Sequence, residues 1–412
     1  MPGARTSLSM PSSPPTPPSA SSANRGLDAS VLLLMAIASG LCAGGNYFNQ
    51  PLLHSIALDF GVSETTAALT VTAAQVSYAC GLVLLVPLGD KFERRRLAVT
   101  LMLLAGLGQF ISGFAASIHF LFAGIMMAGM FSVAAQILVP LAAILSDPSR
   151  SGRAVGLVMS GLLLGILAAR SVAGILSSLG GWHTVYRLSS ITMVVVALLL
   201  WRKLPTSRNP AQVSYGEVLR SMGVLMRRHP RLLSRALMSA LAFASVSALF
   251  STMALLLSGP SHGLSDASIG LVGLAGVAGA LMANVAGRCA DRGWTREAGV
   301  ACVLLLLAGW GCFWLGETSL AWFIVGMLVI DLGLQGLHIT NQHIVFELEP
   351  EARSRMNAVY MTTYFIGAAS GSALGSLAWL HGGWPTICVL GIVLALLCGA
   401  LLIRDERSVA AR

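Results

Sequence analysis

From Ala29 onward the chain alternates long runs that are apolar on every side with short polar stretches. It lacks both the two-residue alternation of a half-buried strand and the narrow stripe of a surface helix. About 20 predominantly apolar residues suffice to cross roughly 30 Å of hydrocarbon as a helix. Twelve such runs occur, at about 29–48, 66–87, 97–117, 120–145, 154–177, 185–201, 236–257, 267–287, 298–315, 320–345, 356–379 and 386–403. They predict an all-α membrane protein of twelve transmembrane helices. The longest break, 202–235, is rich in Arg and divides the spans six and six. Residues 1–27 are mostly Pro, Ser, Thr and Ala, with almost nothing to bury, and predict a disordered tail. The expected organisation is therefore a tail at 1–27, a six-helix bundle at 28–201, a central loop at 202–235, a second bundle at 236–404 and a short tail at 405–412.

Composition agrees with a bilayer as solvent: 55% of residues are apolar and 10% charged, where soluble domains carry about 25% charged residues. The net charge of +9 is informative through its placement. Of the 26 Lys and Arg residues, 24 fall in the tails or in the loops after spans 2, 4, 6, 8 and 10, and the loops on the other side contain none. Cytoplasmic loops hold such an excess, so both termini are expected in the cytoplasm of a bacterial inner-membrane protein, and nucleic acid is not a partner. Two cations remain unexplained, Arg187 just inside span 6 and Arg170 deep in span 5. The seven Cys residues form no CxxC pair and lie in or beside apolar runs, which predicts neither a disulfide framework nor a metal site.

The chain also repeats itself. Gly180-Gly181-Trp182 recurs as Gly382-Gly383-Trp384, and Pro148 with Arg153 recurs as Pro350 with Arg355, all at an offset of 202. Asp90-Lys91 recurs as Asp291-Arg292 at an offset of 201. Three loops repeating in one order predict two homologous six-helix halves.

Two such halves joined by a basic loop resemble the major facilitator superfamily. The likeness is carried by LGDKFERRRL after span 2 and GRCADRGWTR after span 8, set against the family pattern Gly-x-Leu-Ala-Asp-Arg-x-Gly-Arg-Arg. The second copy matches at Gly287, Ala290, Asp291 and Arg292. The first matches at Leu88, Asp90, Lys91, Arg94 and Arg95, with Val86 and Glu93 where the family has Gly. The resemblance implies a latch between the halves on the cytoplasmic side, formed by Asp90, Lys91, Arg94, Arg95, Asp291 and Arg292. The plainer alternative is a positive-inside anchor with an incidental acid. In span 5, Gly152, Gly161 and Gly165 fall where proton-driven antiporters of the superfamily have glycine, but Ile166 replaces their Pro and Ala169-Arg170 their last Gly pair. Helix packing explains Gly161 and Gly165 equally well. Span 4 lacks the Arg that many members use in proton coupling. NYFNQPLL at 46–53, PLGDKFERRR at 87–96 and TNQH at 340–343 resemble the arabinose-efflux-permease-like and drug:proton antiporter branch.

Asp331 lies near the middle of span 10. A charged Asp there costs roughly 2.5–3.5 kcal/mol on insertion scales, which makes it a functional candidate. Asp331, Gln335, His338 and Gln342 share one helix face over roughly 16 Å. A carboxylate near an imidazole is suited to taking up and releasing protons. Proton coupling through Asp331, His338 and Arg170 is therefore expected, with substrate binding or a structural role for Asp331 as the alternatives. Arg170 has three open readings: partner of Asp331, anchor for an anionic substrate group, or a side chain that snorkels outward. Amides and phenols among apolar residues suit a ligand that is partly polar and partly apolar. The candidates are Asn46, Tyr47 and Gln50 in span 1, Gln75 in span 2, Gln136 in span 4, Gln335, Asn341 and Gln342 in span 10, and Tyr360 and Tyr364 in span 11.

The expected protein is a monomeric secondary transporter that exports a small drug-like or sugar-like compound by alternating access. It is not an enzyme and carries no cofactor, and the proton gradient supplies its energy. Uptake or exchange of a sugar or organic anion is the alternative. A membrane enzyme or sensor is remote, since the sequence contains no HExxH, no GxSxG and no soluble signalling domain.

Overall fold

The structure, a computed structural model, describes residues 28–147, 150–207, 215–276, 294–349 and 353–410, and every regular element among them is helical. The tail at 1–27, Pro148, Pro350, Gly287, Ala290, Asp291 and Arg292 lie outside the described residues. Ten segments among those described are long and apolar enough to cross a membrane. The last of them, α14 (Arg353–Ala410), is two helices that part at Gly382 and Gly383. The expected eighth span begins as α11 (Asp266–Val272), while 277–287 is outside the described residues. Leu198, Val389, Val393, Leu396 and Leu397 are among the many apolar side chains left exposed; lipid is the medium in which such a surface is stable.

Span 1 differs from its expected limit at residue 48. After α1 (Ala29–Gly44), two 3-10 turns, Gly45–Tyr47 and Gln50–Leu52, lead into α2 (Leu53–Phe60). Pro51 has no N–H to continue an α-helical ladder, so the span is broken midway and the polar run Asn46 to Gln50 sits at the break. α3 (Glu64–Leu84) and α4 (Arg94–Gly113) follow, capped by Ser63 and Glu93. Span 4 is also interrupted, as α5 (Ile118–Phe131) and α6 (Ala134–Leu145). α7 (Ser151–Gly180) and α8 (Trp182–Lys203) complete the first half. The second contains α10 (Pro230–Ser258), α11, α12 (Thr295–Leu315), α13 (Leu320–Leu348) and α14.

The sequence repeat is a repeat of geometry. Gly181 has φ 76° and Gly383 φ 62°, left-handed values that favour glycine, and the tryptophan after each is buried. Gly165 of α7 lies so close to α1 that an added Cβ would stand 2.2 Å from the Gly40 carbonyl oxygen. Gly367, at 202 residues' distance, stands 2.2 Å from the Ala240 oxygen of α10 in the same sense. Span 1 thus packs on span 5 as span 7 packs on span 11.

The halves meet through α3 against the first part of α14 and through α7 against α11. Tyr78 and Phe365 have ring centroids 4.4 Å apart, and the Thr72 and Ser372 hydroxyls are 2.9 Å apart. Ser171 donates to the Gly270 carbonyl at 2.8 Å, and both Ser55 and Ser177 donate to the Asp266 carboxylate. These hydrogen bonds lie in the half of the bundle away from the end where α1 begins and α14 finishes, the terminal end. At the terminal end the central segment is not merely a loop. It contains α9 (Tyr215–Arg228), whose Tyr215 hydroxyl donates to the Leu84 carbonyl at 3.0 Å while Met222 and Leu225 pack with Val345, Met356 and Val359.

Two expected boundaries move. α10 starts at Pro230, so Arg235, expected in the central loop, is a fully buried helix residue. Residues 405–410, expected as tail, continue α14, and Asp405 is buried against Arg235.

Candidate functional site

At the centre of the molecule Arg170, projecting from α7, is enclosed by both halves. Its Nε donates to Gln50 Oε1 at 2.6 Å. The guanidinium stands 5.1 Å from the Tyr47 ring centroid and 3.8 Å from that of Phe250 on α10, cation–π distances that partly replace lost hydration. Snorkelling is thereby excluded. The break in span 1 makes this possible, because it turns Tyr47 and Gln50 inward from a non-α backbone.

Asp331 of α13 is 6% exposed. It has no hydrogen bond or ion pair among the described residues. The opposite charge acting on it is Arg170 of the other half, through space. A carboxylate held without a donor in low dielectric is costly, so a purely structural role for it has no contact to support it. One helical turn and two turns further, Gln335 and His338 are partly exposed on the same face. The His338 Nδ1 lies 3.0 Å from the Tyr360 hydroxyl, and its ring is 4.6 Å from that of Tyr364. Tyr364 stacks on Phe243 at 4.2 Å. Gln75 of α3 is buried, and its Oε1 has no hydrogen-bond partner. Tyr47, Gln50, Gln75, Arg170, Asp331 and Tyr364 thus gather at one centre, with Gln335 and His338 farther along the same face of α13. Tyr360, by contrast, is fully buried, its hydroxyl 2.7 Å from that of Ser239, and packs with Met222 and Leu225 toward the terminal end.

Other candidates are used for packing. Asn46 donates to the Cys42 carbonyl of its own helix at 3.5 Å, and Gln136 to the Tyr78 hydroxyl at 3.2 Å. Asn341 is fully buried, donating to Ser239 at 2.8 Å and accepting from Arg235. Gln342 donates to Asn357 at 2.9 Å. Asn341 and Gln342 are thus held within the second half, and a substrate-binding role is not supported for either. Gly161 and Gly165 face Ala36 and Gly40 of α1, as helix packing requires.

Two of the residues expected to form a latch, Arg94 and Arg95, have described contacts. Arg95 donates to the Leu204 carbonyl at 3.1 Å and covers Trp201, and Arg94 reaches Ser207. Leu204 and Ser207 belong to the segment that follows α8. Lys91 is exposed. The side chain of Asp90, and Asp291 and Arg292, lie outside the described residues. Glu93, which sequence reasoning counted only as a departure from glycine, organises this corner: it is 7% exposed and accepts from the amides of Arg95, Arg96 and Ser207. Burial by itself would raise its pKa, but the amides of Ser207, Arg96 and Arg95, with the Arg95 charge, bring it below the ordinary carboxylate value. Sequence reasoning also missed Arg235, which pairs with Asp405 at 2.6 Å and with Glu406. The signal available was Pro230 at a helix start with Arg231 and Arg235 one turn apart. Arg187, the other unexplained charge, donates to the Gly113 carbonyl at 2.7 Å.

Residues 35–348 match the family model of the Major Facilitator Superfamily. The chain is 48% identical over 373 residues to the transporter YgaY of Escherichia coli, covering 90% of this chain and 95% of that one. It is 32% identical to a probable transporter of Streptomyces coelicolor, covering 97% and 96%. A probable sugar efflux transporter of Helicobacter pylori is 27% identical over 84% of this chain and 87% of its own length. Among solved structures, a variant of the nucleoside transporter NupG superposes with a TM-score of 0.73 at 12% identity, covering 92% of this chain and 99% of that one. A bacterial homologue of the human lysosomal transporter Spinster, inward-facing and occupied, gives 0.68 at 14% identity, covering 92% and 96%; at such identities these two share the fold alone. The relatives are membrane transporters and not enzymes, and the chain belongs to the major facilitator superfamily.

Proposed function

We propose that this transporter exports a small, partly polar and partly apolar compound, drug-like or sugar-like, in exchange for protons. It works as a monomer in a bacterial inner membrane with both termini cytoplasmic. The observation that carries the reading is Asp331, a buried carboxylate without a hydrogen-bond partner, placed at the centre of the molecule opposite Arg170 of the other half. A proton on Asp331 removes the attraction to Arg170, and its loss restores it. That difference biases the two arrangements of the halves, which is what coupling requires. His338, held by Tyr360, tunes the same face. Tyr47 and Tyr364 supply apolar walls with hydroxyl tips, and Gln50, Gln75 and Gln335 supply amides, a set suited to an amphipathic solute. Sugar efflux in the Helicobacter pylori relatives' names is compatible with this lining.

A deletion strain screened against drugs, sugars and organic acids identifies substrates. In inside-out vesicles with an acidified lumen, a true substrate should accumulate and partly dissipate the pH gradient. Accumulation that ignores the gradient, or occurs only in right-side-out vesicles, excludes proton-driven export.

A further inference from the structure

A cavity of about 690 Å³ opens at the terminal end of the second half, between the end of α9, the start of α10 and the end of α14. Arg228, Arg231 and Arg404 line it, one from each helix, together with Asp405. Arg228 and Arg404 are exposed and have no hydrogen bond or ion pair among the described residues. Arg231 stands 3.5 Å from Asp405. That carboxylate already accepts from the fully buried Arg235 at 2.9 Å. Arg235 is paired with Glu406 as well, so two carboxylates serve Arg231 and Arg235, and the cavity carries uncompensated positive charge at Arg228 and Arg404, on two separate helices.

Apart from His229, Ser234 and Ser408, its remaining wall is apolar. Leu233 and Leu237, 39% and 41% exposed, lie one helical turn apart on α10 and lead from the guanidiniums toward the membrane interior. A soluble phosphate ester would engage the arginines and leave that track bare. A phospholipid uses both, because guanidinium pairs with phosphate in a charge-assisted, bidentate manner and an acyl chain covers the leucines. We propose that this cavity binds one anionic phospholipid, its phosphate held by Arg228, Arg231 and Arg404 and a chain laid along Leu233 and Leu237. The bound lipid joins the linker helix to the first and last helices of the second half. This assignment is independent of the central site and of the direction of transport.

Native mass spectrometry of the full-length protein in detergent, titrated with dioleoylphosphatidylglycerol or dioleoylphosphatidylcholine, tests it. The wild type should retain one phosphatidylglycerol at least about tenfold more tightly than phosphatidylcholine. The double variant Arg228→Gln/Arg404→Gln alters two exposed side chains, so it should fold normally and weaken phosphatidylglycerol by roughly thirtyfold, two basic contacts being lost. The double variant Arg202→Gln/Lys203→Gln, at the same end of the first half, should retain it as the wild type does. Equal retention of the two lipids, or equal weakening by the two double variants, would overturn the proposal. Displacement of the lipid by inorganic phosphate or glycerol 1-phosphate at similar concentration would overturn the choice of a lipid ligand.

Discussion

Glu93 and Arg235 show how single charges are made tolerable beside the membrane, and each by a different means. Glu93 is satisfied by three backbone amides, so its carboxylate form is favoured in the folded protein. Because the folded pKa is lowered, the stabilisation is complete above the ordinary carboxylate value of about 4.3 and is lost as pH falls through the lower folded value. Glu93→Gln should lose about 1 kcal/mol at neutral pH, the typical worth of an N-cap. Thermal unfolding in detergent should show the gap between wild type and variant closing at the acid end. Arg235 is fully enclosed and neutralised by Asp405 and Glu406. Replacing one member of a buried pair costs about 3–5 kcal/mol, so Arg235→Met should sharply lower the melting temperature. Adding Asp405→Asn and Glu406→Gln to Arg235→Met should recover much of the loss, an outcome that a simple cavity would not give. Hydrophobicity hid both residues: Glu93 sits in a loop whose acids look solvated, and Arg235 lies at a span edge where an Arg is ordinarily free.

The helices themselves were readable because their apolar runs have to match the bilayer. The expected limits for spans 2 to 6 agree with the structure to within a few residues. The break in span 1 was not readable from hydropathy, since Asn46 to Gln50 resembles the end of a span. It depends on Pro51 and on the partners that Tyr47 and Gln50 find in Arg170, which is 120 residues from Gln50. The same long-range dependence explains the mixed fate of the polar candidates. Asp331 and Tyr364 could be recognised from position on a helix face. Asn341 could not be separated from them, because its partners Ser239 and Arg235 come from another helix. At the level of helix pairs, Gly367→Val should force α10 and α14 apart and reduce folded yield. Gly152→Val, where a Cβ meets nothing within 4 Å, should leave the yield unchanged by size-exclusion chromatography.

Across the whole molecule, the hydrogen bonds accepted by Asp266 and Gly270 and the one between Thr72 and Ser372 hold the halves together away from the terminal end, while the linker helix joins them at the terminal end. Under the proposed alternating access, the first set has to break. In a background freed of its native cysteines, Thr72→Cys/Ser372→Cys should crosslink readily, the two hydroxyls being 2.9 Å apart. The crosslink should stop transport and reduction should restore it. Transport that continues through the crosslink would show that this contact does not open.

The proposed coupling rests on Asp331. In proteoliposomes loaded with an identified substrate, flux driven by an imposed pH gradient should fall at least about tenfold in Asp331→Asn, while substrate exchange at equal pH on both sides should continue. Gradient-driven flux in Asp331→Asn equal to that of the wild type would contradict the account.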